Sequence, residues 1–195
     1  MRRAEIERNT NETKIYLTLN LDGRGNFSGS SGVGFFDHML ELFAHHGRFD
    51  LHVQCTGDTH VDFHHTVEDI GISLGQAFRS ALGDCKGIVR YGSFVLPMDE
   101  SLVNVALDFS GRSFLHYDVE IPSAKVGDFD TELCEEFFLA LSRSCGLTLH
   151  IKLEYGKNAH HIIEACFKCV ARAMRIAVAV DSEYADEIPS TKGVL

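Results

Sequence analysis

The sequence predicts an α+β fold built from two similar units, each a sheet with two helices, packed as a pseudo-symmetric two-layer domain. Short segments in which apolar and polar residues alternate predict strands, and longer segments with apolar residues at helical spacing predict amphipathic helices. Residues 49–53 (FDLHV) also resemble residues 147–151 (LTLHI), and each stretch is followed by a His-His-x-x-Glu motif that opens a long helix. Such a resemblance indicates an internal duplication. We therefore expect one catalytic unit with repeats at about residues 1–89 and 90–185, followed by a C-terminal tail at 186–195.

The first half contains signals for three strands, one loop and two helices. Polar residues interrupt an alternating segment, glycines mark a flexible connection, and apolar residues then recur at helical spacing. In order, the expected elements are two strands within residues 5–20 separated at residues 9–12, a loop at 22–34, a helix at 35–43, a strand at 51–55 and a helix from His64.

The second half repeats this order of elements. Alternating segments separated by turn residues predict strands, and two other segments have an apolar face at helical spacing. The expected elements are strands at residues 90–97, 102–109 and 113–121, a helix at 130–144, a strand at 147–154 and a helix from His160 to about Val180.

The composition is that of a globular domain and excludes several classes of protein. The chain has 195 residues, of which 45% are hydrophobic and 24% charged, and its formal net charge is −10. This acidic balance argues against binding to nucleic acid or to an anionic membrane surface. We see no run of about 18 apolar residues and no secretory signal, and the cysteines lack the spacing of a small disulfide-bonded domain. We expect a cytoplasmic protein with no nucleic-acid or membrane partner.

The 11 histidines are the unusual feature of the composition, because histidine is the commonest metal ligand. The His-His-x-x-Glu motif occurs at residues 64–68 and again at 160–164. Residues three and four apart share one face of a helix, so each glutamate can bind a metal together with a histidine before it. Adjacent histidines point about 100° apart, so the two histidines of one motif are expected to bind different ions. The simplest arrangement is two metals, each bound by a His-Glu pair from one helix and a histidine from the other.

One such site combines His65, Glu68 and His160, and the other combines His161, Glu164 and His64. Each site needs a further ligand, and these are expected to be His38 on the first predicted helix and Glu136 at about the same position in the second half. Imidazole and carboxylate donors suit manganese, iron or zinc better than calcium or magnesium. Solvated or capping histidines at helix starts are the alternative, but two matching copies in a duplication favour metal binding.

Several cations and hydroxyl groups could together bind a phosphate. Arginine, lysine and short hydroxyl side chains match the charge and geometry of that group. The candidates are Arg90, Arg112, Lys168, Ser190, Thr191 and Lys192. Each alone is more often an ordinary surface residue. They indicate phosphate binding because they occur together with a predicted metal site on an otherwise acidic chain.

Four motifs follow one another along the chain: GFFDHM at residues 34–39, HHTVED at 64–69, PMDE at 97–100 and HHIIEACFK at 160–168. Together they resemble the imidazoleglycerol-phosphate dehydratase family of histidine biosynthesis, and the similarity covers essentially the whole chain. Some members of that family carry histidine where this chain has Glu136.

The resemblance implies a hydro-lyase that converts imidazole glycerol phosphate into imidazole acetol phosphate and water, on a fold of the ribosomal protein S5 domain 2-like type. It implies two Mn²⁺ ions per active site, with other divalent transition metals as alternatives, and a homo-oligomer of 24 subunits with active sites shared between neighbours. Glu12 matches the substrate-contacting glutamate of the family and is the expected general base, with Glu68 and Glu164 as alternatives. The phosphate would be held by Arg90, Arg112, Lys168, Ser190, Thr191 and Lys192, of which the last three lie in the tail.

Two further functions are compatible with the residues alone. A non-catalytic metal-binding or storage assembly needs the histidines but not the arginine and lysine side chains that could bind a phosphate. A di-metal phosphohydrolase needs both and releases inorganic phosphate. Binding of the substrate to the metal-loaded protein separates storage from catalysis, and phosphate release identifies the hydrolase.

Overall fold

Two four-stranded sheets and four helices make up most of the chain, for which the computed structural model describes residues 2–195. The first unit contains β1 (Arg3–Asn9), β2 (Thr13–Asn20), β3 (Phe27–Ser30), α1 (Gly34–Gly47), β4 (Asp50–Gly57) and α2 (His64–Leu82). The second contains β5 (Tyr91–Met98), β6 (Ser101–Asp108), β7 (Phe114–Asp118), β8 (Lys125–Val126), β9 (Phe129–Asp130), α3 (Leu133–Cys145), β10 (Thr148–Tyr155) and α4 (Ala159–Ala177).

Both four-stranded sheets have the same strand order, which confirms the predicted α+β fold with an internal duplication. The first runs β1-β2-β4-β3 and the second β5-β6-β10-β7. In each unit the first two strands form an antiparallel hairpin, and the strand before the last helix pairs in parallel with the third strand. His52 on β4 and His150 on β10 occupy equivalent positions, opposite Ser28 and His116. The similar stretches at 49–53 and 147–151 therefore lead into matching central strands.

Each sheet buries one face against the helices, as alternating side chains on a strand require. On β2 the side chains of Ile15, Leu17 and Leu19 are buried, and on β10 those of Leu149 and Ile151 are buried. The period-two pattern that predicted these strands therefore corresponds to one apolar and one exposed face.

The helices of the two units face each other. Helix α2 packs on β1 and β2, and α4 packs on β5 and β6, while across the units α1 packs on α4 and α2 packs on α3. The rings of Phe36, Phe137 and Phe167, from α1, α3 and α4, meet at centroid distances of 5.3, 6.4 and 5.1 Å. Each unit is thus a sheet layer covered by a helix layer, and the shared core lies between the two helix layers.

The contact between α2 and α3 is close because α2 presents glycine to its partner. A Cβ atom added at Gly71 would lie 2.9 Å from the Cβ of Ala140, and one added at Gly75 would lie 2.6 Å from the Cβ of Ser144. The two glycines are one turn apart and so share a face of α2. The predicted ligands Glu68 and Glu136 are carried by this closely packed helix pair.

The predicted loop at residues 22–34 is wrong in part, because β3 lies inside it. Gly29, with a φ of 95°, passes so near β4 that an added Cβ would lie 1.9 Å from the carbonyl oxygen of Val53. Glycine at this position permits close strand pairing rather than flexibility. The glycines of the segment favoured the prediction of a flexible loop where a strand lies.

Helix α4 ends at Ala177 rather than near Val180. The backbone N–H of Arg90 donates to the Ala177 carbonyl at 2.8 Å, and Ile88 pairs with Val180 as an isolated β-bridge. After Ala177 the chain therefore runs beside the segment that precedes β5. The short hairpin of β8 and β9 is also absent from the sequence prediction, because two-residue strands carry no alternation pattern. Among residues 2–195, none of the helices combines the length and the apolar character that a membrane crossing requires.

Candidate metal centre

Two imidazoles and one carboxylate converge where α1 meets α4. Nε2 of His160 lies 3.6 Å from Oε2 of Glu164, and Nε2 of His38 lies 4.0 Å from Oε1 of the same carboxylate. One donor atom from each of the three residues lies within 4.8 Å of the others, and this is the single group of its kind among residues 2–195. Nitrogen and oxygen donors at this spacing can share one transition-metal ion.

The local sequence explains how these three side chains meet. His160 and Glu164 are four residues apart on α4 and therefore share one face, while the packing of α1 on α4 brings His38 beside them. The ring of Phe35 contacts that of His160 edge-on at a centroid distance of 5.2 Å. Nζ of Lys168 lies 2.8 Å from Oε1 of Glu164, which is only 9% exposed, so the lysine balances the charge of a nearly buried carboxylate.

The predicted grouping of His161 and His64 with Glu164 stays a prediction, although within one chain other side chains lie beside that carboxylate. Glu164 instead lies beside His160 and His38. A spacing of four places His160 against the glutamate, whereas the ring of His161 turns away toward the β5–β6 turn. The predicted grouping of His160 with His65 and Glu68 also stays a prediction, while within one chain His160 lies beside Glu164.

The duplicated position on α2 and α3 carries Glu68 and Glu136. Both line a cavity of about 220 Å³ between these helices, together with Arg143 and Ser144. His64 is half-buried at the start of α2. Within residues 2–195 of one chain, His64, Glu68 and Glu136 do not converge as the residues at the α1–α4 contact do. The two halves therefore repeat the fold but differ in how completely they assemble a ligand set.

His65 is held between two carboxylates. Its Nδ1 lies 2.9 Å from Oδ2 of Asp58, which follows β4, and its Nε2 lies 3.6 Å from Oε1 of Glu12 in the β1–β2 turn. The hydrogen bond that His65 donates to Asp58 raises the pKa of His65. Glu12 is 52% exposed, so its carboxylate is free to meet a ligand from solvent.

His161 has a similar environment in the second unit. Its Nδ1 lies 2.7 Å from Oε2 of Glu100, and its Nε2 lies 3.8 Å from Oδ2 of Asp99, both in the β5–β6 turn. The hydrogen bond with Glu100 raises the pKa of His161, and the same bond lowers the pKa of Glu100 to about 2. At neutral pH this glutamate is therefore ionised and accepts hydrogen bonds only.

Arg90 lies far from the candidate metal ligands. Its guanidinium pairs with both carboxylate oxygens of Asp108, at 2.7 and 3.1 Å, and donates to the carbonyl of Pro189 at 2.8 Å. Its backbone contacts Ala177 at the end of α4, 13 residues beyond Glu164 (177 − 164 = 13). At 1.5 Å per residue this separation is about 20 Å, so one small molecule cannot touch both ends in a single chain.

The tail lies at the same end as Arg90. A Cβ added at Gly111, which precedes Arg112, would lie 2.9 Å from the carbonyl carbon of Leu195, so the C-terminus approaches that turn. The predicted phosphate residues Ser190, Thr191 and Lys192 thus lie along the chain between the contact with Arg90 and the contact beside Arg112. Of the six predicted residues, Lys168 alone belongs to the other end, where it contacts Glu164.

Sequence reasoning missed three residues of this region: Asp58, Asp99 and Glu100. The PMDE motif contains two of them, but the sequence does not show that their side chains face His161. Asp58 is seven residues before His65 in a loop, a spacing that no helix or strand periodicity brings together. Contacts of this kind depend on loop conformation.

Comparisons with known proteins agree with the fold and with the motifs. The sequence model of the imidazoleglycerol-phosphate dehydratase family matches residues 31–174. The chain is 60% identical to the imidazoleglycerol-phosphate dehydratase of Azorhizobium caulinodans over 195 residues, covering 100% of this chain and 99% of the relative. It is also 60% identical to that of Pelobacter propionicus over 194 residues, covering 100% and 99%.

Two solved structures with the same description have similar folds. The crystal structure from Staphylococcus aureus matches with a TM-score of 0.84 and 40% identity, covering 92% of this chain and 99% of that one. The structure from Pyrococcus furiosus matches with a TM-score of 0.83 and 38% identity, covering 97% and 100%.

Proposed function

This chain belongs to the imidazoleglycerol-phosphate dehydratase family, and on that premise we propose that it removes water from D-erythro-imidazole glycerol phosphate to give imidazole acetol phosphate. Membership of the family makes it a hydro-lyase of histidine biosynthesis. The observation that carries the proposed chemistry is the convergence of His38, His160 and Glu164 at the α1–α4 contact.

The donor set at that contact fits a transition metal. Two imidazole nitrogens and one nearly buried carboxylate oxygen lie within 4.8 Å of one another, a combination that suits manganese, iron or zinc. We propose two Mn²⁺ ions per active site, held by residues drawn from His38, His64, His65, Glu68, Glu136, His160, His161 and Glu164. When bound, the metals supply Lewis-acid stabilisation of negative charge on the imidazole ring of the substrate. That charge must go to the ring, because no carbonyl group acidifies the proton that is lost.

Glu12 is the carboxylate best suited to take that proton. It is half-exposed and lies 3.6 Å from Nε2 of His65, so it borders the proposed metal ligands without being buried among them. Glu164, by contrast, is nearly buried and already paired with Lys168 at 2.8 Å, which leaves it less available as a base. Glu68 stays as the alternative, since it lines the cavity between α2 and α3. A base within reach of the substrate is needed for general acid–base catalysis.

The phosphate is proposed to bind Arg90, Arg112, Lys168, Ser190, Thr191 and Lys192, and Arg90 also fixes the tail through the Pro189 carbonyl. Arg90 and the tail lie about 20 Å from the His38 group along α4. This separation supports an active site completed by a neighbouring copy, and so a homo-oligomer; the proposed number of 24 subunits is the one that the family resemblance implies. In such a site the cations of one chain would meet the metal ligands of another.

Turnover with and without metal tests the proposal. We expect the full-length protein to form imidazole acetol phosphate with Mn²⁺ and to lose this activity after chelation. His160→Ala should lose activity and bound metal together, whereas His116→Ala, which removes an exposed histidine from the outer face of β7, should keep both. Full turnover after thorough chelation contradicts metal dependence, and release of inorganic phosphate would point to a phosphohydrolase instead.

A further inference from the structure

His65 and His161, the second histidines of the two His-His-x-x-Glu motifs, share one feature: each faces a carboxylate through Nδ1. Asp58 lies 2.9 Å from Nδ1 of His65, and Glu100 lies 2.7 Å from Nδ1 of His161. An ionised carboxylate has no proton to donate, so in a neutral ring the proton must be on Nδ1. In both rings Nε2 is then left with a free lone pair.

Glu100 is bound on both of its oxygens. Oε1 accepts hydrogen bonds from the backbone N–H of Asn158 at 2.8 Å and of Lys157 at 3.3 Å, and from the hydroxyl of Ser101 at 3.2 Å. Oε2 is left for Nδ1 of His161. The carboxylate therefore ties the loop before α4 and the His161 ring to the β5–β6 turn, and it cannot rotate without losing contacts on both sides.

The internal duplication does not account for the shared feature. Asp58 comes from the loop that follows β4, whereas Glu100 comes from the turn between β5 and β6, and these are different places in the repeated unit. Two unrelated loops thus supply the same chemical group to equivalent ring nitrogens. If the duplicated backbone were the cause, the two carboxylates would lie at matching positions of the two units.

We propose that Glu100 and Asp58 are positioning residues that fix the Nδ1–H tautomer of His161 and His65 and so present Nε2 of each ring as the metal-binding atom. The metal-binding part rests on the proposed function, whereas the tautomer itself does not. Carboxylates that orient a histidine in this way typically change metal affinity about 10- to 100-fold when they are removed.

Glu100→Gln tests the proposal sharply because its amide has only one acceptor oxygen. That oxygen must stay with the two backbone N–H groups, since an NH₂ group there would oppose two donors. The NH₂ group then faces Nδ1 of His161, which has to become an acceptor. The proton is expected to move to Nε2, where it blocks metal binding at that atom.

The experiment is ¹⁵N magic-angle-spinning NMR of histidine-labelled full-length protein without metal, at a pH where the rings are neutral. A difference spectrum against His161→Gln identifies the ring. We expect the protonated nitrogen of His161 to be Nδ1 in the wild type and Nε2 in Glu100→Gln, and Mn²⁺ affinity in a separate titration to fall about 10- to 100-fold. Glu120→Gln, a matched change at an exposed glutamate, should alter neither result.

Each outcome is decisive. An unchanged tautomer in Glu100→Gln overturns the positioning role, and so does a changed tautomer with unchanged Mn²⁺ affinity. If the wild type binds no Mn²⁺, the proposed metal dependence fails, while the ring spectra still decide the tautomer. Should Glu100→Gln not fold, Asp58→Ala gives the same test at His65, where the ring is expected to lose its single tautomer, and one retained tautomer would overturn the proposal.

Discussion

Gly75→Ala tests the closest helix contact in the molecule, that between α2 and α3. The added Cβ would lie 2.6 Å from the Cβ of Ser144, 2.7 Å from the carbonyl oxygen of Leu141 and 3.1 Å from the backbone nitrogen of Cys145. Two of these three atoms are backbone atoms of α3, which cannot rotate away. The helices must separate to admit the methyl group.

The size of the effect follows from two opposing terms. Overpacking in a tight core costs about 1–3 kcal/mol, and the backbone clash places this substitution at the upper end. Alanine in place of glycine within a helix stabilises the helix by about 1 kcal/mol. We therefore expect a net loss of about 2 kcal/mol in the free energy of unfolding, which for a chain of this length lowers the thermal midpoint by about 4–8 °C.

Thermal unfolding followed by circular dichroism measures this change. Gly34→Ala is the matched control, because Gly34 also belongs to a helix but has no atom within 4 Å of its added Cβ. The control should unfold at or above the wild-type temperature. A Gly75→Ala midpoint equal to that of the control would refute the reasoning, since it would mean that α2 and α3 are not in the contact described.

Three further predictions concern the candidate metal ligands and the tail. Glu164→Gln removes the shared carboxylate of the convergent group, so calorimetric titration should show Mn²⁺ binding weakened at least about tenfold; an unchanged affinity would exclude this residue as a ligand. Because Glu100 raises the pKa of His161, the pair stabilises the metal-free fold below the unfolded-state pKa, and this stability is lost as the pH rises through the raised pKa. Mn²⁺ requires the neutral ring and should therefore bind more tightly over the same rise, whereas a flat profile would speak against His161 as a ligand. Arg90→Met removes the bond to the Pro189 carbonyl, worth about 1 kcal/mol, and hydrogen exchange in the tail should become about fivefold faster, with equal rates as the contrary result.

The repeated fold was predictable because its signals are local. Alternation marks β2 and β10, and helical spacing marks α2 and α4, so each element carries its own pattern. β3 was not predictable, since its four residues become a strand only through parallel pairing with β4, and Gly29 looks like a loop residue until the neighbouring carbonyl is known. Local sequence patterns therefore predict elements that form from local signals, and they miss a strand whose formation depends on tertiary contacts.

The candidate site shows the same limit. The motif placed both His160 and His161 within reach of Glu164, and the prediction paired Glu164 with His161. The sequence spacing could not show that the ring of His161 contacts Glu100, which is 61 residues away along the chain. From the sequence alone, His38 could be proposed as a ligand only because the duplication places it at about the position that Glu136 has in the second half. Side chains brought together by packing of α1 on α4 leave no spacing in the sequence.

The distance between the two ends of α4 has a genetic consequence. If a neighbouring copy completes the active site, a chain altered at Glu164 and a chain altered at Lys192 are each defective on their own, but for different halves of the site. Expressed together, they would assemble some sites from the intact half of each, and two inactive alleles would restore growth without histidine. Two alleles altered at the same end would not.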